Sequence, residues 1–223
     1  MKMSTLSTVP DPVKTRRYDS TGRRQAAQAN RSAILDAARE LFSNQGYAVT
    51  SMVQIAAHAG VAPDTVYASV GKKAEVFTLL IESALSGQGE VIPGQQRDYV
   101  ARMRVATTAS AKLAIYAGAV TAMQARLAPL FLALRAAAPS APELGGIWSS
   151  ISERRAANMR RLVVDLATTD ELRTDLSNDE IADVIWSMNS SEYYALLVLE
   201  RRWAPGRFET WLHDAWVRLL TTG

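Results

Sequence analysis

Apolar residues recur at helical spacing from Ala26 almost to the end of the chain. Ile34, Ala37, Ala38, Leu41 and Phe42 stand three and four residues apart, which puts them on one stripe of an amphipathic helix. Gly46 stops that helix, because glycine adopts the left-handed C-cap conformation without strain. Thr50 or Ser51 can cap a short helix through Ala59, with Gln54 as the capping-box partner of Ser51. Gly60 and Val61 read as a turn. Pro63 suits the first turn of a helix running to about Val70, where its missing N–H is harmless. Lys72 to about Ser86 is the next helix, with Val76, Phe77, Leu80, Ile81 and Leu85 inward. Gly87, Gly89, Pro93 and Gly94 cluster in a break. Beyond it the pattern predicts helices near 98–106, 110–124, 127–138, 143–167, 178–201 and 206–221. Pro139 and Pro142, residues 168–170, and Pro205-Gly206 punctuate the longer ones. No hairpin signal and no tandem repeat appear. The expected class is all-α.

Composition narrows the chemistry. Hydrophobic residues make up 48% of the 223, enough for a substantial core. No apolar run in the sequence approaches the ~18–20 residues of a membrane span, so no membrane partner is expected. Residues 1–20 carry Pro10, Asp11, Pro12, Arg16 and Arg17 and lack the apolar stretch of a secretion signal. Cysteine is absent, which permits the cytoplasm, and His58 and His213 are far apart. No metal site and no cofactor are expected. Paired-carboxylate motifs, Gly-rich phosphate loops and Ser-His-Asp patterns are all missing, so the chain does not read as an enzyme. The net charge is +3, but the first 31 residues hold seven Lys and Arg against two Asp. Residues 1–25 show no periodicity and are expected to form a disordered basic arm. Its Arg16, Arg17, Arg23 and Arg24 suit a nucleic-acid contact or a merely solvated tail.

The sharpest local signal spans Ile55 to Tyr67. Two short helices crossing steeply need a small residue where they touch (Ala56), a glycine at the turn (Gly60) and an apolar residue packing back (Val66). Ile55 and Val61 complete this small core. An αα-corner with no DNA role would pack alike; a DNA reader would lay its second helix in the major groove. The exposed reader positions, Ala62, Pro63, Asp64, Thr65, Ala68 and Ser69, include no Arg, Lys, Asn or Gln. Two-point reading of guanine or adenine is therefore unavailable from them. Thr65 and Ala62 suit thymine methyls, and Asp64 suits cytosine N4. Specificity is left to dimer spacing, DNA shape and the arm.

From Arg31 to Glu82 the sequence resembles the N-terminal domain of the TetR family of regulators. The residues that carry the likeness are Ile34-Leu35, Ala37-Ala38, Leu41-Phe42, Gly46-Tyr47, Thr50, Ile55-Ala56, Ala59-Gly60-Val61, Thr65-Val66-Tyr67 and Lys73. Val70 and Ala62 depart from it, where the family often has Phe and Ser. The resemblance implies that Thr50 caps the first reader helix and offers its hydroxyl to a phosphate. It further implies that Tyr67 reaches a phosphate and that Lys73, with Lys72 beside it, contacts the DNA backbone. The alternatives are a half-buried aromatic and a pair of solvated charges.

The C-terminal part also resembles TetR-type regulators, in Asn189-Ser190-Ser191-Glu192 and in Trp203-Ala204-Pro205-Gly206-Arg207-Phe208-Glu209. In that family the last two helices form a four-helix dimer interface. Leu196 to Leu199, and the stripe of Trp211, Leu212, Trp216, Leu219 and Leu220, fit this. The resemblance implies a cavity among the central helices for a small-molecule effector. The large or amphipathic side chains placed near it are Tyr116, Met123, Phe131, Trp148, Trp186, Asn189 and Tyr193. Asn189 and Glu192 stand out on an apolar helix, and Arg155 or Arg160 is the expected partner of Glu192. The expected organisation is a basic arm (1–25), a three-helix helix-turn-helix DNA-binding domain (26–86), and an effector-binding and dimerisation domain (95–223). The expected function is that of a cytoplasmic homodimeric repressor released from a double-stranded DNA operator by a small molecule. A TetR-type activator, a helical small-molecule-binding protein or enzyme, and an architectural DNA protein are the alternatives.

Overall fold

The computed structural model describes residues 20–87 and 94–222, and the order of helices follows the apolar pattern with three differences. The first helix, α1 (Ser20–Gln45), begins six residues before Ala26, so Arg23 and Arg24 are helical rather than part of an irregular arm. Arg16 and Arg17 lie outside the described residues. Next come α2 (Met52–Ala59), α3 (Pro63–Val70) and α4 (Lys73–Ser86). A 3₁₀ turn (Gly94–Gln96) leads into α5 (Asp98–Val105).

The second difference is α6 (Ala109–Ala137), one helix of 29 residues where two were expected. Pro129 sits inside it and leaves the carbonyl of Ala125 without its usual donor, normally a loss of about 3 kcal/mol. Ala125 is exposed, so water can serve that carbonyl. Buried residues on both sides of the proline hold the helix together: Leu127, Leu130, Phe131 and Leu134 in one core, Leu113, Tyr116, Ala117, Val120 and Ala128 in another. By length and composition α6 could cross a membrane, with a mean hydropathy of 1.3 in its most apolar stretch. Half of that stretch is buried inside the fold, and the helix also buries Lys112 and Gln124. It is the central helix of a folded core.

After α7 (Pro142–Ala167) comes the third difference. The apolar run from Asn178 is divided into α8 (Asn178–Met188) and α9 (Ser191–Tyr194), the latter continuing as a π-helical stretch over Ala195–Glu200. Ser190 is extended and its hydroxyl accepts from the Tyr193 N–H, so it starts a new helix instead of continuing the old one. The last helix is α10 (Pro205–Leu220).

Two apolar cores result. The first joins α1–α4 to the second half of α6 and to α7, around the ring contacts Phe42–Phe77 (4.9 Å) and Tyr47–Phe77 (5.2 Å). The second joins α5, the first half of α6, α7, α8 and α10, with Tyr116 stacked on Trp216 at 5.5 Å. Because α6 serves both, the helix-turn-helix shares its core with helices far along the chain.

Candidate nucleic-acid interface and central cavity

The angle between α2 and α3 is built locally. Ser51 starts α2 through a reciprocal capping box: its hydroxyl accepts from the Gln54 N–H, and the Gln54 amide oxygen accepts from the Ser51 N–H at 2.7 Å. Gly60 ends α2 with φ of 68°. The Gly60 N–H donates to the Ala57 carbonyl, and the Val61 N–H to that of Ala56 at 3.0 Å, a Schellman closure that needs a left-handed residue. Ile55, Ala56 and Val66 are buried under the corner. Arg31 on α1 donates to the Ser69 carbonyl at the end of α3, placing a cation at the negative end of that helix.

The face left outward carries Ala62, Asp64 and Tyr67, all exposed, with Thr65 half-buried. Lys72 is exposed. The Lys73 ammonium lies 4.1 Å from the centre of the Tyr47 ring and 3.4 Å from the Ala48 carbonyl. Burial lowers its pKa, opposed by the charge of Glu143. Tyr47 donates to Glu143 across 3.3 Å, and its hydroxyl pKa is pushed up to about 12 by burial and that carboxylate. Thr50 departs from its expected role. It is buried, its hydroxyl donates to the Gly46 carbonyl at 2.8 Å and accepts from Gln45, and Ser51 is the cap. That hydroxyl is committed to holding the loop between α1 and α2. His58 is engaged as well, 2.9 Å from the carboxylate of Glu40.

Behind the reader, α4, the 3₁₀ turn, α5, α6, α7 and the α8–α9 junction surround a cavity of about 580 Å³. Four of the seven expected residues line it: Tyr116, Met123, Phe131 and Asn189. The other three lie elsewhere. Trp148 packs on Phe131 at 4.8 Å behind the wall, and Trp186 lies under the Arg155 guanidinium at 4.2 Å. Tyr193 accepts from the Trp211 indole N–H at 2.6 Å and lines an outer groove with Leu197 and Trp203. Glu192 pairs with Arg135 at 2.7 Å, not with Arg155 or Arg160, because the break at Ser190 turns α9 toward α6.

Sequence reasoning sought aromatics and missed the arginines. Arg97, Arg154, Arg155 and Arg161 all line the cavity, against the single carboxylate of Glu82. Arg154, Asn158 and Arg161 are spaced i, i+4, i+7, a polar stripe on one face of α7 that the sequence did display. Arg154 pairs with Glu82 at 2.6 Å, tying α7 to the last turns of α4. Gln124 closes the α8–α9 break, donating to the Asn189 carbonyl at 2.6 Å and accepting from Ser191 at 2.8 Å. Among the described residues no group of three His, Asp or Glu is placed to hold a metal.

Residues 34–80 match the model of the tetR family of bacterial regulatory proteins. The chain is 40% identical over 68 residues to the HTH-type transcriptional regulator AcrR of Shigella flexneri, a stretch covering 30% of this chain and 32% of AcrR. NalD, the secondary repressor of the MexAB-OprM multidrug efflux pump in Pseudomonas aeruginosa, has a similar structure. Its TM-score is 0.66 at 20% identity, covering 87% of this chain and 98% of that one. The SmeT–triclosan complex is similar too, with a TM-score of 0.60 at 18% identity over 87% of this chain and 93% of that one. Sequence likeness is thus concentrated in the reader, while the fold is shared along nearly the whole length. Residues 34–80 are thus a tetR-family N-terminal domain, and the helical fold of the chain as a whole is the one shared with NalD and SmeT.

Proposed function

We propose that this chain is a cytoplasmic homodimeric repressor, released from a double-stranded DNA operator by a small molecule held in the central cavity. The observation that carries the reading is the shared core: α6 and α7 wall the cavity, α6 packs against α1 and α4 and α7 against α4, and α1 in turn holds the helices α2 and α3. A ligand that favours one arrangement of these helices also favours one placement of the reader. In a dimer the two α3 helices must meet successive major grooves, so a small change in their separation releases DNA. The kinship with NalD, a repressor, and with SmeT, solved with triclosan, supports repression and ligand response.

In this reading residues 26–86 bind DNA and residues 95–223 sense and dimerise. Asp64, Thr65 and Ala62 meet base edges, Tyr67, Lys72 and Lys73 meet phosphates, and Arg16, Arg17, Arg23 and Arg24 add backbone or minor-groove contacts. Leu196, Leu199, Trp211 and Leu219 form the dimer face, each about half exposed in the protomer despite its apolar side chain. A gel-shift competition between genomic fragments tests the whole. A regulator selects one fragment over bulk DNA and retains it in about 0.15 M salt. Equal binding to all fragments, or none, removes the reading.

A further inference from the structure

The cavity does not balance its own charge. Arg154 has Glu82, but neither Arg97 nor Arg155 has a carboxylate within ion-pair distance among the described residues. One terminal nitrogen of Arg97 reaches only the thioether of Met123, at 3.8 Å. One terminal nitrogen of Arg155 donates to the Trp186 carbonyl at 2.9 Å, near the end of α8. Among the described residues no acceptor is recorded for their other terminal nitrogens. Five buried side-chain polar atoms in the described residues lack a partner. Three of them, Arg97 Nε, Arg155 Nε and Asn189 Oδ1, belong to residues of this cavity, and Asn189 is only 2% exposed. The three residues converge on Tyr116: Asn189 donates to its hydroxyl at 2.8 Å, and both arginines act electrostatically on that same hydroxyl. The lining also includes the apolar side chains of Leu85, Leu127, Phe131 and Ile151.

Both arginines are partly buried with Nε sealed from water, and the charge of Glu192 reaches Arg155 without forming an ion pair; cations so placed are unfavourable, and proteins usually pair them or give them an anion to hold. A guanidinium matches a carboxylate through paired, charge-assisted N–H donors. A volume of about 580 Å³ suits a molecule of drug-like size. We propose that the cavity binds an amphipathic organic anion, a carboxylate on an aromatic or branched aliphatic body, with the acid group held by Arg97 and Arg155 beside Asn189. The proposal deepens the effector-site reading and rests on it for its regulatory meaning, not for its binding chemistry. Cationic ligands meet the wrong sign of charge, and neutral ones leave the guanidiniums uncompensated.

The test uses the full chain and ligands matched in shape but not in charge. Phenylacetate, 4-phenylbutyrate and octanoate are titrated calorimetrically beside their primary amides and beside phenylethyl-trimethylammonium. The expected result is that at least one acid binds more tightly than its amide by about tenfold or more, the scale of a charge-assisted hydrogen bond, and that the ammonium compound does not bind. Arg97→Gln is expected to remove the acid's advantage without lowering the melting temperature of the free protein; Arg97→Lys is expected to keep part of it. Amides or the ammonium compound binding as well as the acids, no acid binding at all, or acid binding indifferent to Arg97→Gln and Arg155→Lys each overturn the proposal. The gel shift on the same protein separates the two readings. Operator selection without acid binding sinks the anion site alone, and acid binding without operator selection sinks the regulator alone.

Discussion

Arg202 and Gly60 both occupy the left-handed region, with φ of 55° and 68°, and they predict opposite responses. Arg202 follows the π-helical end of α9, where the Arg201 N–H donates to Leu196 and the Trp203 N–H to Leu197. An L side chain there carries about 1 kcal/mol of strain that glycine lacks. Arg202→Gly is expected to stabilise the protein by about 1 kcal/mol in urea denaturation. Gly60→Ala is expected to cost a similar ~1 kcal/mol; a Cβ there meets nothing within 4 Å, so the effect is conformational only. At Lys73 the ammonium rests on Tyr47 and Ala48, an anchored cation at the start of α4. Lys73→Ala is expected to weaken binding to all DNA sequences alike and to lower the slope of log affinity against log salt by about one. An unchanged slope would remove Lys73 from the phosphate contacts. Either Thr50 or Ser51 could cap α2 by residue type, and Gln54 favoured Ser51; the packing of the preceding loop, which buries Thr50, agrees.

At the scale of elements, Gln124 is the side chain on which the α8–α9 junction depends. It meets a carbonyl on one side of the break and a hydroxyl on the other, and it is buried. Gln124→Leu leaves both without a partner and is expected to lower stability by about 2–6 kcal/mol, at ~1–3 kcal/mol per stranded group, seen as an early thermal transition. A normal melting curve would mean that water enters and replaces the amide. The helices of the reader were legible because capping box, turn glycine and proline at the first helical position are local devices, each acting within a few residues. The continuity of α6 through Pro129 and the break at Ser190 were not. The first is decided by two cores that grip the helix on either side of the proline. The second is decided by a hydroxyl preferring the Tyr193 N–H to a place in the helix.

For the whole molecule, the stripe on α10 divides in two. Leu212, Trp216 and Leu220 are wholly buried within the protomer, while Trp211 and Leu219 face outward. Trp216 is therefore core rather than a place to split a dimer, since it stacks on Tyr116. In the proposed dimer, Trp211→Arg and Leu196→Glu would each leave an unpaired charge in an apolar interface, and folded monomers are expected in analytical ultracentrifugation. Trp216→Arg is expected to abolish the cooperative unfolding transition. A dimer that survives both surface substitutions would place the interface elsewhere. The protomer is also tied together across its length. Tyr47 and Lys73 lie by Glu143, and Glu82 by Arg154, so α7 touches the reader through charge at two places.

What the sequence determined by itself was the helical class and the reader, because apolar spacing, caps and the Ala56–Gly60–Val66 corner act over short distances. Family likeness in the same segment then carried the fold of the rest. What only the tertiary structure decided was which polar groups share a space. Arg97, Asn189 and Arg155 are distant in sequence: Asn189 stood out as a polar residue on an apolar helix, Arg155 only as a partner for Glu192, and Arg97 not at all. Their meeting around Tyr116 follows from how α5, α6, α7 and α8 pack. The charge of a cavity belongs to that arrangement, and no local pattern along the chain records it.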